Sequence, residues 1–191
     1  MRSLILLTRL PGKIIKNWKL QDSEIRKTLA LLGAFCLFLS TIEYMIPKPL
    51  PFMRIGIANL PLMMALDIFS FPVFTILVAI KIFGQALITG TLFSYVFLFS
   101  LAGTSFSALS MYALRLFLGR NNLSMIGISI LGAMVSNISQ LVMAWVFIFR
   151  NNIWFIVPPF LAAGLISGAA LGFFCELFIR RSRWFAMRKI R

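Results

Sequence analysis

The chain has 191 residues, 60% of them hydrophobic and only 13% charged, with a mean hydropathy of +0.94. A soluble domain carries about 25% charged residues, and disorder needs low hydrophobicity with dense charge; both classes are excluded, which leaves an integral membrane protein with several spans. The balance of 19 Lys+Arg against 5 Asp+Glu gives a net charge of +14, and where those bases sit decides what they mean.

In chain order, residues 1–27 form a basic segment with seven bases (Arg2, Arg9, Lys13, Lys16, Lys19, Arg26 and Lys27). Leu4–Leu7 is too short for a secretory signal and no small-residue cleavage site follows, so this segment reads as retained. Residues 1–20 mix apolar and basic positions around Pro11-Gly12, which fits an interfacial amphipathic segment or a loose basic tail. The transmembrane domain then occupies residues 28–179, and a second basic tail of six bases covers residues 180–191.

A bilayer-spanning helix needs about 20 apolar residues, fewer where it is short or kinked. That ruler gives six spans: Thr28–Ile46, Ile55–Phe69, Pro72–Thr89, Ser94–Leu118, Ser124–Phe149 and Trp154–Ile179. The second is short and holds Pro61, and Pro72 suits the first turn of the third. An even number of spans puts both tails on one side together with Arg115 and Arg120, which places 15 bases there. The opposite loops hold Lys48, Arg54 and Arg150. The positive-inside rule makes the richer side cytoplasmic. This distribution removes the nucleic-acid reading of the net charge.

Small residues at spacing four mark helix packing in lipid. The last span reads Gly164-x-x-x-Gly168-x-x-x-Gly172, for which contact within the bundle is the expectation. The first span holds Ala30-x-x-x-Ala34 near its cytoplasmic end, where a contact with another membrane subunit fits.

Polar residues inside spans are costly and default to functional candidates. Lys81 and Gln85 lie one turn apart on the third span, and Asn137 and Gln140 share a face of the fifth. Glu43 lies near the outer end of the first span, and Arg54 and Asn59 open the second. These seven are the candidate substrate-binding residues, with loop Pro47–Asn59 as a lid. The alternative is an internally satisfied network, such as Lys81 reaching Asp67; both stay open at this point.

Some chemistry has no residues to carry it. The chain has no His, which removes the commonest general base and metal ligand. No GxxxxGK[ST] loop is present, and the five acids, at 22, 24, 43, 67 and 176, form no Asp-rich diphosphate cluster. Cys36 and Cys175 both fall in apolar runs, where a thiol acts as a small hydrophobe. The expectation is a protein that is not an enzyme and needs no metal or cofactor.

Four blocks carry a resemblance: Pro51-Phe-Met-Arg-Ile-Gly-Ile-Ala-Asn59-Leu-Pro61, Lys81-Ile-Phe-Gly84, Ser100-Leu-Ala-Gly103-Thr-Ser-Phe-Ser107, and Ile130-Leu-Gly132-Ala-Met-Val-Ser-Asn137-Ile-Ser-Gln140. Over about residues 28–178 the chain resembles a bacterial membrane family labelled both Gx transporter and heptaprenyl diphosphate synthase component I. It departs by having Lys81 where the family tends to have Arg, and Ser136 where it tends to have His. That family is similar to the substrate-binding S components of energy-coupling-factor (ECF) transporters. The resemblance implies an all-α, six-helix bundle in the bacterial cytoplasmic membrane that captures a vitamin-like or cofactor-precursor substrate from outside. It also implies a membrane T component docked on Ala30 and Ala34, with ATPase partners. The synthase label implies a rival role, as a membrane component of polyprenyl diphosphate synthesis.

Overall fold

The computed structural model describes residues 12–47, 55–149 and 154–182. Every element in them is helical: α1 Gly12–Met45, a 3-10 turn Ile57–Asn59, α2 Leu60–Ala65, α3 Phe71–Ile88, α4 Tyr95–Asn122, α5 Met125–Ala144 with a π turn Trp145–Phe149, and α6 Val157–Arg181. Five helical stretches are long and apolar enough to cross a membrane: Ser23–Met45, Phe71–Ile88, Tyr95–Gly119, Met125–Phe147 and Val157–Arg181. They coincide with five of the six expected spans to within a few residues. The protein is a multi-pass helical membrane protein.

The helix ends follow local chemistry. The Ser94 hydroxyl accepts from the Val96 N–H and opens α4, and the Ser124 hydroxyl accepts from the Gly127 N–H and opens α5, as N-caps do. Prolines stand in the first turns of α2, α3 and α6, where the missing N–H costs nothing. Gly119, at φ 72°, breaks the regular helix at the end of α4, a backbone conformation that glycine adopts without strain.

The expected second span takes a different form. Instead of one membrane-length helix, residues 57–69 fold as the 3-10 turn, the six-residue α2 and a turn, and Leu60 through Leu66 are all buried. Helix directions show why this segment is enclosed. Gly33 of α1 faces Ile80 and Leu77 of α3, and Leu37 faces Gly84, so α1 and α3 run the same way. The chain between them must return along the bundle, and it does so inside, surrounded by helices. A segment apolar on every face and covered by protein has no need of a full span's length.

The remaining helices alternate in direction. Phe71 of α3 packs on Tyr112 of α4 at 5.1 Å between ring centroids, and Phe83 on Phe97 at 6.0 Å. Gly132 of α5 faces Met111 and Ser107 of α4, and Gly103 of α4 faces Gln140 and Ser136. The start of α1 and the end of α6 therefore lie at the same end of the bundle. Helix α1 begins already at Gly12, within the first basic segment, and α6 runs to Arg181. Residues 1–11 and 183–191 lie outside the described residues, as do Lys48, Arg54 and Arg150.

The glycine stripe of α6 packs inside the bundle, as its spacing suggests. Gly164 abuts the Asn137 amide, Gly168 abuts Ala133 and the Ile130 backbone, and Gly172 abuts the Ile126 backbone. A methyl added at Gly172 would stand 2.6 Å from the Ile126 Cα, and main chain cannot swing aside. Gly172→Ala should therefore lower stability by about 1–3 kcal/mol, the usual cost of overpacking. Thermal unfolding in detergent checks this; an unchanged melt would contradict so close an approach of α5 and α6.

Two apolar clusters bracket the interior. One gathers Leu32, Cys36, Met63, Phe74, Leu77, Met111, Ile128 and Cys175; the other gathers Phe99, Leu141, Ala144 and Phe160. Along α4 and α5, a layer of polar side chains lies between them.

Candidate functional site

The polar layer lines a cavity of about 30 Å³. A water needs about 10–15 Å³ measured this way, so the space as it stands suits about two or three waters. Drug-sized ligand pockets run to roughly 300–1,000 Å³; a bound molecule must push side chains apart. The walls contain movable ones, Met63, Met111 and Leu171, and methionine repacks easily.

Helix α3 places Lys81 and Gln85 in the wall. They share one buried face with Phe74, Leu77 and Val78, so the one-turn spacing does put them side by side. Lys81 is only 3% exposed. Its ammonium donates to the Asn59 side-chain oxygen and, at 3.4 Å, to the Thr104 hydroxyl. Asn59 ends the 3-10 turn, so the lysine ties that turn to α3 and α4.

The other tie is Glu43. Its carboxylate, 1% exposed, accepts from the backbone N–H groups of Ile55 at 3.0 Å, Gly56 at 3.1 Å and Ala58 at 3.2 Å. Gly56 has φ 88°, a left-handed conformation that lets neighbouring N–H groups converge on one anion. A buried carboxylate is tolerable when so many donors meet it. The expected lid thus has a described half, residues 55–59, pinned by a charge on each side. Its other half, including Arg54 and the prolines at 49 and 51, lies outside the described residues.

Helix α5 contributes Asn137, whose amide lines the cavity and donates to the Phe160 carbonyl of α6 at 3.0 Å. Gln140 is placed differently from expectation. It is fully buried, donates to the Ser136 hydroxyl at 3.1 Å and lies outside the cavity wall, against Gly103. It supports Ser136, which does line the cavity. Of the seven candidates, Glu43, Asn59, Lys81, Gln85 and Asn137 meet around one space.

Lys81 does not reach Asp67. Arg115 of α4 holds that carboxylate instead, Nε to Oδ1 and Nη2 to Oδ2 both at 2.8 Å, and also donates to the Leu123 carbonyl at 3.1 Å. The guanidinium's fork matches a carboxylate's two oxygens, which an ammonium cannot do. Arg115 is therefore an internal clasp at the far end of the bundle and not a loop charge.

Several wall residues escape a search for charges and amides. Thr104, Ser107 and Met111 line the cavity from one face of α4, and Ser129, Ser136 and Ser167 from α5 and α6. Ser107 is buried and its hydroxyl has no hydrogen-bond partner among the described residues. The available signal was the i, i+3, i+7 spacing of Thr104, Ser107 and Met111.

Ala30 and Ala34 lie elsewhere. Both are exposed on the outer face of α1 beside Leu31 and Phe38, opposite the buried Leu32, Cys36, Ser40 and Glu43.

Among known proteins, no curated protein and no solved structure matches the chain. A family model does match, over residues 32–178, a stretch that contains every residue lining the cavity and both ends of the Arg115–Asp67 clasp. On that match, the chain belongs to the heptaprenyl diphosphate synthase component I family.

Proposed function

We propose that this protein is the substrate-capture subunit of an ECF-type small-molecule importer in a bacterial cytoplasmic membrane. The observation that carries the reading is a polar cavity at mid-bundle, with Lys81 in its wall and residues 55–59 pinned beside it by Glu43 and Lys81. Side chains of this kind, enclosed and hydrogen-bonded within a membrane bundle, mark ligand sites and translocation pathways. The substrate is a vitamin-like molecule or cofactor precursor. The chain binds it and leaves catalysis to others; ATP hydrolysis falls to ATPase partners through a T component. The outer face of α1, with its small Ala30 and Ala34, is where such a component docks.

In this reading the chain crosses the membrane six times, with residues 55–69 as the protein-enclosed crossing and both termini in the cytoplasm. Reporter fusions after Arg120 and at Arg191 should read cytoplasmic, and one after Arg150 external. A cytoplasmic readout at Arg150 would contradict the topology.

The family's description favours a second reading, a membrane component of polyprenyl diphosphate synthesis. The two separate in a thermal-shift screen of the detergent-purified protein. Capture predicts stabilisation by a water-soluble vitamin or precursor, whereas stabilisation by prenyl diphosphates alone would favour the synthase role.

A further inference from the structure

We infer that the end of α6 carries a site for one anionic diacyl phospholipid, its two chains lying on either side of Leu177 and its phosphate at Arg181. The residues involved line no part of the mid-bundle cavity, so the site stands whether or not the capture reading holds. Spacing gives the first sign of it. Phe173, Leu177 and Arg180 stand at i, i+4 and i+7, and Phe174, Phe178 and Arg181 repeat that spacing one position on. Each set forms a row along one side of the helix, apolar first and basic where α6 stops. In the folded chain the rows become two grooves. One, of about 320 Å³, is lined by Phe174, Leu177, Phe178, Arg181 and Ser182. The other, of about 250 Å³, is lined by Ile126 of α5, Phe173, Glu176, Leu177 and Arg180. Leu177 is the ridge between them.

This face is open to the bilayer. Phe173 and Phe174 are 63% and 54% exposed. Of the five membrane-length helices α6 is the least covered, with 22% of its apolar stretch buried against 33–44% in the others. An apolar face alone would accept any lipid, and the charge at its end selects one. Arg180 is held by Glu176 one turn back at 2.6 Å, so that pair is neutral and the exposed Arg181 leaves this turn at +1. A guanidinium offers a phosphate a fork of N–H donors. A zwitterionic headgroup brings its own ammonium to the same place and gains less. Arginines in the last turn also complement the helix dipole, but that role gives no preference among lipids.

The test follows the melting temperature of the full chain in detergent during titration with phosphatidylglycerol, lyso-phosphatidylglycerol, phosphatidylethanolamine or inorganic phosphate. Phosphatidylglycerol should raise it at about one fifth of the concentration that phosphatidylethanolamine needs, the preference that about one base at a membrane surface supplies. The single-chain lyso lipid should act more weakly, and inorganic phosphate should have no effect. Arg181→Gln should erase the preference without changing the melt of the lipid-free protein, because the side chain is exposed. Replacing Arg188, Lys189 and Arg191 together by Gln should leave the preference in place. Equal action of the two diacyl lipids, or a preference that survives Arg181→Gln, would overturn the site. Loss of the preference in the triple variant alone would overturn it too, since the attraction would then belong to the tail. A lyso lipid as effective as the diacyl one would overturn the two-chain fit.

Discussion

Arg115→Met should destabilise the protein by about 3–5 kcal/mol, because it takes from the buried Asp67 carboxylate the guanidinium that bonds both of its oxygens. The side chains of the pair are only 10% and 5% exposed, and both guanidinium contacts are 2.8 Å. Removing both charges is a different matter. A neutral pair of similar volume avoids the desolvation of either ion, so Asp67→Asn combined with Arg115→Met should recover most of the loss. Thermal or denaturant unfolding in detergent measures the three variants. A double mutant no more stable than Arg115→Met would show that the arginine acts through packing or its bond to the Leu123 carbonyl. Since the clasp lies outside the cavity wall, ligand binding by the folded double mutant should persist.

The second large effect belongs to Glu43. Glu43→Ala removes the acceptor of three backbone N–H groups, and Ala58 at least is buried with them. Unsatisfied buried donors cost about 1–3 kcal/mol each when water cannot reach them. The segment can limit that cost by opening, so a net loss of about 3 kcal/mol is expected, with fast amide exchange over residues 55–59. Glu43→Gln keeps one carbonyl acceptor and should fall between. Hydrogen–deuterium exchange followed by mass spectrometry reads both. Unaltered protection of residues 55–59 in Glu43→Ala would mean that Asn59 and the Lys81 ammonium hold the turn unaided.

The sequence made much of this legible. Five spans announce themselves through length and hydropathy, and the glycine stripe of α6 fixes its own packing because only small residues allow backbones so close. Lys81 and Gln85 are legible as neighbours because helical spacing needs no tertiary information. Residues 55–69 read as a short span in the sequence, which does not tell whether lipid or protein surrounds such an apolar run. Only the parallel course of α1 and α3, a tertiary fact, reveals a return path inside the bundle. The partner of Asp67 was hidden for a similar reason: Arg115 lies 48 positions away, and in sequence it looks like one more base near a cytoplasmic loop. The hydroxyls of the wall are obscured by their own kind. Ser40, Thr41, Thr75 and Ser139 all donate to backbone carbonyls four residues back, as such residues commonly do in helices, and nothing local sets Ser107 apart from them. Gln140 shares a face with Asn137 and meets the wall through the Ser136 hydroxyl.

The central claim, that the mid-bundle cavity holds a small molecule, is most directly tested by native mass spectrometry of the full chain released from its own membranes. Wild-type protein should carry an adduct of a few hundred daltons at most, and Lys81→Gln, folded by its melting curve, should lack it. Bare protein in both cases, or an adduct that survives the loss of Lys81, would contradict the account.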